Sequence, residues 1–231
     1  MHSDTITAGV VTIIGILVTI SAASVYISRV FIPAKIRTAY VKSITALAAA
    51  VETKESGTVG HAERVAELTV GTAQRLGVQH RELERIHYAA LLMDIGKANV
   101  PQAVLNKSHP LDPEEWDTLK RHPKLGSEMV AAVPFLADLE DYVLHHHEYY
   151  DGSGYPDGLK ASEIPLASRI LAVAADYDAM TSERPYHTHV MSPEEGCEEI
   201  RRGRGTKYDP RVVDAFLSMM EETQTPVAKA A

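Results

Sequence analysis

At 231 residues the chain has room for one substantial core plus an anchor or a tail, and its 45% apolar and 23% charged content are ordinary for a globular protein. A formal net charge of −8 argues against wholesale binding of DNA or RNA, which requires basic surface to displace counterions from phosphates. An anionic ligand must then be held by local positive charge or by metal, and the single cysteine, Cys197, excludes an internal disulfide.

The first element is an apolar run. No charged side chain occurs from Ile6 to Ile27, and as a helix this stretch rises about 33 Å, enough to cross a hydrocarbon core. A buried core helix would be shorter, and a signal peptide would open with positive charge, whereas Asp4 and no Lys or Arg precede the run. Arg29, Lys35, Arg37 and Lys42 follow it, so the positive-inside rule leaves the N-terminus outside and the remaining chain in the cytoplasm. The expected organisation is a short extracytoplasmic segment at 1–5, a transmembrane helix at 6–28, a juxtamembrane linker at 29–41, a globular domain at 42–223 and a disordered tail at 224–231. That describes a single-pass protein of the cytoplasmic membrane.

Pro33 is expected to end the anchor. Ile36, Tyr40, Ile44, Leu47 and Val51 then recur at helical spacing, a narrow stripe that suits core packing or pairing of two copies in a homodimer. Gly57 and Gly60 interrupt it. Helices are predicted over His61–Leu76, stopped by Gly77, and over Leu83–Ile95, closed by Gly96. Pro113 with Glu114 and Glu115 opens another that runs toward Arg121 and, past His122-Pro123, toward Val133. Leu136–Tyr149, Leu166–Thr181, Pro193–Arg202 and Pro210–Met220 complete the series. No alternating strand pattern appears, so the fold is read as all-α.

Four histidines and an aspartate stand out in this frame: His61, Asp94, His122, His146 and His147. Phosphodiester cleavage is slowed by charge repulsion and weak nucleophiles, and two metals held close together relieve both. Imidazole and carboxylate ligands together suit iron, manganese or zinc. Neighbouring His146 and His147 at a helix end project about 100° apart and can serve different ions, with Asp94 as the bridging carboxylate.

The segments HAERVA, LLMDIGK, RHPKLGSEMV, LHHHEYYDGSGYPDGL and AADYDAMTSERPY, in that order, resemble the HD-GYP family, a branch of the HD-domain metal-dependent phosphohydrolases. The resemblance covers roughly residues 42–220 and implies a bundle of about seven helices around a metal centre that hydrolyses cyclic di-GMP. It implies metal ligation by His61, Asp94, His122, His146 and His147, with Asp94 and Lys97 in the catalytic apparatus. Lys97 and Arg184 are expected to meet a substrate phosphate. The loop Gly154-Tyr155-Pro156 borders the site, which puts Tyr155 among the substrate-binding residues, and it is a candidate contact for a diguanylate cyclase domain.

Two positions break the family pattern. Met93 stands where the family's His-Asp pair has histidine, and a thioether is a soft ligand unsuited to manganese or iron(II). Ala175 stands where the family has aspartate, and Asp176, one residue later, is turned by about 100° on a helix. Gly57 replaces the glutamate of a three-metal subset. One or two divalent ions, iron or manganese, are therefore expected, and turnover should be impaired. The alternative is a non-catalytic module that binds a nucleotide or a partner. His145 is a possible substitute ligand, Glu148 and Asp151 possible orienting groups, and Asp178 is read as bonding within its own helix.

Overall fold

The computed structural model describes residues 2–55, 59–183 and 190–224. It separates into two compact units, Met1–Ser43 and Ile44–Ala231. The chain is all-α, and among the described residues no strand forms.

Helix α1 (His2–Tyr26) leads through a π-helical turn, Ile27–Phe31, into α2 (Ile32–Glu52), which begins in the first unit and ends in the second. The helix does not stop at Pro33 as the sequence suggests. The Ile32 N–H donates to the Ile27 carbonyl five residues back, and through this wider turn the helix continues past Pro33. Ile13, Leu17 and Ile20 are each more than half exposed, so this apolar stretch is not a core helix. By length and composition the helical stretch Thr12–Glu52 is able to cross a membrane. The stripe on α2 divides: Ile44 and Val51 are buried, while Ile36, Tyr40 and Leu47 remain nearly half exposed.

The second unit is a helical bundle. It contains α3 (His61–Arg75), α4 (His80–Leu92), a 3-10 turn at Ile95–Asn99, α5 (Gln102–Leu105), α6 (Pro113–Lys120) and α7 (His122–Ala131). A short 3-10 turn and α8 (Glu140–Leu144) follow, then α9 (Leu166–Thr181), α10 (Pro193–Arg202) and α11 (Pro210–Gln224). Helix α3 packs on α4, α9 and α11, and α7 packs on α8 and on the 3-10 turn. The buried face of α3 consists of Ala62, Val65, Ala66, Thr69, Thr72 and Ala73, spaced for one helical face and small enough to let neighbouring helices approach closely. In α9 the run Ile170–Ala174 is buried on all sides, the mark of a central helix, and it feeds two apolar clusters. One holds Val65, Leu92, Met93 and Leu171; the other holds Ile86, Ile170, Tyr208 and Phe216. Reciprocal capping boxes, Asp112 with Glu115 and Ser192 with Glu195, start α6 and α10 ahead of Pro113 and Pro193.

Two predicted helices end earlier than their apolar periodicity implies. Helix α4 stops at Leu92, and Met93-Asp94 turn the chain into the 3-10 segment. Helix α8 covers only Glu140–Leu144 of the span expected to reach Tyr149, because the histidines after it cap it: His145 Nδ1 bonds the Asp141 carbonyl at 2.9 Å and His146 Nδ1 the Val143 carbonyl at 2.6 Å. The Asp141 carbonyl takes the His145 backbone N–H as well, at 3.2 Å, so ring and backbone share the acceptor where the helix ends.

Candidate metal centre and its cleft

The turn after α4, the start of α7 and the turn after α8 converge on one point. His122 Nε2 lies 3.3 Å from His146 Nε2 and 3.3 Å from Asp94 Oδ1. On the other side of the carboxylate, His61 Nε2 lies 3.6 Å from Asp94 Oδ2. The rings of His146 and His147 are 4.2 Å apart, and ligand atoms of His122, His146 and His147 all fall within 4.8 Å of one another. The five residues singled out in the sequence thus form one string of neighbours, in which Asp94 links His61 to His122 and His122 joins His146 and His147.

Hydrogen bonding on the far side of each ring decides what faces inward. His122 Nδ1 lies 2.8 Å from the Leu119 carbonyl, His146 Nδ1 against the Val143 carbonyl, and His61 Nδ1 2.7 Å from Asp178 Oδ2. A ring nitrogen beside an acceptor must carry the proton, so in each neutral ring Nε2 presents its lone pair. Three lone pairs and a carboxylate pointing at one another repel unless a cation lies among them, which is the test of the donor set: hard, neutral nitrogens with fixed tautomers around one oxygen anion fit a divalent ion. Burial, and then the neighbouring His122, push the His146 pKa down to about 4, so the ring is neutral near pH 7 and ready to donate. His147 is likewise held well below its ordinary value, first by burial and then by His146. Burial works against a charged Asp94, but Lys97 first, and then the adjoining His122 and His61, outweigh it and hold the carboxyl well below the usual range.

The geometry is unequal on the two sides of Asp94. Its Oδ1 side faces His122, backed by His146 and His147. On its Oδ2 side, Lys97 Nζ lies 3.0 Å from that oxygen and 2.9 Å from Glu55 Oε2, so an ammonium stands there between two carboxylates. Burial disfavours the charge on Lys97, yet Asp94 and Glu55 more than offset it and raise its pKa. Met93 turns into the apolar core, 2% exposed among Leu91, Leu92 and Val51. Ala175 packs against the same cluster and offers no donor. Asp176 does not stand in for it: its Oδ2 takes the Tyr208 hydroxyl at 2.9 Å and Lys207 Nζ at 2.8 Å.

Several secondary expectations change. His145 is no substitute ligand, because its Nε2 is 3.0 Å from Asp157. Glu148 orients no histidine; its Oε1 accepts from the backbone N–H groups of Asp157 and Gly158 at 2.7 and 3.0 Å, clamping the glycine-rich loop. Asp151 is spent on a local turn with Ser153. Asp178 bonds outside its own helix, to His61 and to Arg64 on α3, and these bonds hold its pKa down to about 2 although burial opposes the charge. No local signal in α9 betrays that role, since the partners are more than a hundred residues away. Arg184, His187 and Gly57 lie outside the described residues.

A cleft of about 520 Å³ opens beside the histidines, within the usual range for small-molecule sites. Its walls include Lys97, Leu111, Trp116, Leu119, His122 and Tyr155. The Tyr155 ring stacks on His147 with centroids 4.9 Å apart and planes 20° from parallel, while its backbone N–H bonds the His147 carbonyl at 3.1 Å. Gly154 permits this, because a Cβ there would stand 2.3 Å from the Tyr149 nitrogen and 2.5 Å from the His147 oxygen.

An all-α bundle that gathers imidazoles and a carboxylate beside a cleft is the arrangement expected of an HD-type domain. The HD domain profile matches residues 45–212, and the chain belongs to the HD-domain family, in the branch marked by the HHE and GYP segments. It is 39% identical over 178 residues to the cyclic di-GMP phosphodiesterase response regulator RpfG of Xanthomonas campestris, covering 76% of this chain and 47% of that one. It is 40% identical over 173 residues to a cyclic di-GMP phosphodiesterase of Thermotoga maritima, covering 74% and 47%. Among solved structures, a cyclic GMP-AMP specific phosphodiesterase of Vibrio cholerae shares the fold at a TM-score of 0.61 with 20% identity, covering 77% of this chain and 48% of that one. The chain spans just under half the length of these curated relatives.

Proposed function

We propose that this chain is a membrane-tethered HD-GYP domain that binds a cyclic dinucleotide of the cyclic di-GMP type at a one-ion centre, with hydrolysis absent or greatly reduced. The observation that carries the reading is the asymmetry about Asp94: His122, with His146 and His147 beside it, meets Oδ1, whereas Oδ2 meets the Lys97 ammonium and only one imidazole, His61, and neither Met93 nor Ala175, both packed in the apolar core, offers a donor. His122, His146, His147 and Asp94 Oδ1 are the groups to hold the ion. A divalent ion there supplies a Lewis acid for a phosphoryl oxygen and lowers the pKa of a bound water. The protein's own contributions are neutral, pre-oriented rings and a cleft that receives the diester. Lys97 holds Asp94 ionised and keeps positive charge where a phosphate would approach. On the His61 side, the Lys97 ammonium stands between the Asp94 and Glu55 carboxylates where a second ion would sit, and without that ion the clamp on attacking and leaving oxygens is lost.

Tethering is supported by the exposed apolar helix, and the relatives named as cyclic di-GMP phosphodiesterases support the ligand class. The test is ion content per chain together with cyclic di-GMP turnover, in the natural protein and in Met93→His with Ala175→Asp, each loaded with manganese or iron(II) and checked for folding by circular dichroism. One ion and negligible turnover in the natural chain, with both raised in the double variant, is the expected result. Two ions and rapid hydrolysis in the natural chain would refute the reading. Retention of the chain in carbonate-washed membranes, and its release on removal of residues 1–31, is expected for the tether.

A further inference from the structure

Helix α6 buries none of its residues, yet it forms one wall of the cleft beside the histidines. It carries the chain's only tryptophan, Trp116, whose surface is 43% exposed. An isolated exposed aromatic residue needs no explanation, but this one is placed by several constraints. Trp116 and Leu119, three residues apart on one helical face, both line the cleft. The Leu119 carbonyl accepts the His122 Nδ1 proton at 2.8 Å, so the turn that carries the indole also orients a ring of the candidate metal centre. The helix itself is pinned by the Asp112–Glu115 capping box and by the ion pair of Lys107 with Glu115, which fixes the platform before any ligand arrives. Lys120 Nζ lies 5.6 Å from the indole centroid and adds positive charge at the same edge.

A flat aromatic surface on a rigid wall, one turn of chain from nitrogens that face a carboxylate, matches a ligand with a planar base at one end and a phosphate at the other. We propose that Trp116 is the stacking platform for a nucleobase of the phosphodiester ligand whose phosphate lies at His122 and His147. The inference rests on the one-ion, nucleotide-binding reading above and adds the residue that recognises the base. Stacking accepts any base face, so Trp116 provides affinity for purine nucleotides without choosing guanine over adenine.

Because Trp116 is the only tryptophan, its emission reports the site directly. The full chain in detergent with manganese is titrated with cyclic di-GMP, cyclic di-AMP and ribose 5-phosphate, which has the phosphate and lacks the base. Quenching by both dinucleotides and none by ribose 5-phosphate is expected. By calorimetry, Trp116→Leu should weaken cyclic di-GMP binding about 10-fold or more, while Trp116→Phe keeps it within about 3-fold. Manganese affinity should be the same in all three proteins. Calorimetric binding of cyclic di-GMP with unchanged Trp116 emission, or equal affinity in Trp116→Leu, overturns the stacking role and leaves the one-ion reading intact. Absence of dinucleotide binding to manganese-loaded protein overturns both the stacking role and the nucleotide reading. Failure of the natural chain to hold manganese counts against the metal centre itself.

Discussion

Asp178 on α9 accepts a hydrogen bond from His61 Nδ1 at 2.7 Å while its two oxygens also take Arg64 Nε at 2.6 Å and Nη2 at 3.0 Å. One buried carboxylate therefore fastens both the first residue and the first turn of α3 to the central helix. Replacing it with alanine removes an acceptor from a buried ring and from a half-exposed guanidinium. A loss of about 2 kcal/mol in urea unfolding at pH 7 is expected, less than for a fully buried pair because water can reach Arg64. The acid dependence has a definite sign. The folded pKa of about 2 lies below the ordinary 3.8, so the contribution of Asp178 is present above pH 4 and is lost as pH falls toward 2. The stability gap between the natural protein and Asp178→Ala should narrow over that window; a gap that stays constant down to pH 2 would remove the ion pair from the account.

His146 has an acid linkage of the same sign in a higher pH window. Its folded pKa of about 4 lies below the ordinary 6.5, because burial and the neighbouring His122 disfavour the imidazolium. The unfolded chain takes up a proton that the folded chain refuses, so the stability of metal-free protein should fall as pH drops from 6.5 toward 4. Manganese should raise the melting temperature at pH 7 by binding only the folded state. His146→Ala should lose most of that rise and flatten the acid slope. A melting temperature of chelator-treated protein that does not change between pH 7 and pH 5 would contradict the prediction.

The ligand-type residues were legible because their chemistry is rare and their order is distinctive: His61, Asp94, His122, His146 and His147 do converge. Less legible was the backbone that carries them. Apolar periodicity continues smoothly through Met93 to Ile95 and from Leu136 to Tyr149, so it cannot report that α4 stops at Leu92 or that the His145 and His146 rings cap α8. The direction of Lys97 was also hidden, since its partner Glu55 lies 42 residues earlier and follows no helical spacing. Asp178 had the same difficulty, with a partner 117 residues away. Asp176 and Asp178 look equivalent along the sequence of α9, yet one meets Lys207 and Tyr208 and the other meets His61.

Gly96 illustrates how a glycine read as a helix stop can serve contact instead. A Cβ at this position would stand 2.0 Å from the His122 carbonyl oxygen and 2.6 Å from the Gly126 nitrogen, both backbone atoms that cannot swing aside. Gly96→Ala must therefore push α7 away from the 3-10 turn, and His122 moves with it. Destabilisation of about 3 kcal/mol is expected from the overpacking, with manganese affinity reduced as His122 leaves Asp94. The check is urea unfolding alongside a manganese titration. Natural stability together with natural affinity in Gly96→Ala would show that the two segments separate without consequence.

Lys97 gives the sharpest test of the asymmetric centre. Its ammonium lies 3.0 Å from Asp94 Oδ2 and 2.9 Å from Glu55 Oε2, and all three side chains are largely buried. Lys97→Met keeps the bulk of the side chain and removes the charge, leaving two carboxylates and the His61 Nε2 lone pair around one vacated position. Loss of a partner from a buried ion pair costs about 3–5 kcal/mol, so the variant should melt well below the natural protein in chelator. Divalent cations should then restore what the ammonium provided. Raising manganese beyond one equivalent is expected to lift the melting temperature of Lys97→Met steeply while leaving that of the natural protein nearly level, because in the natural chain the position is already held by a positive charge. If excess manganese stabilises both proteins alike, the ammonium and a second ion are not competing for the same carboxylates, and the division of the centre about Asp94 is wrong.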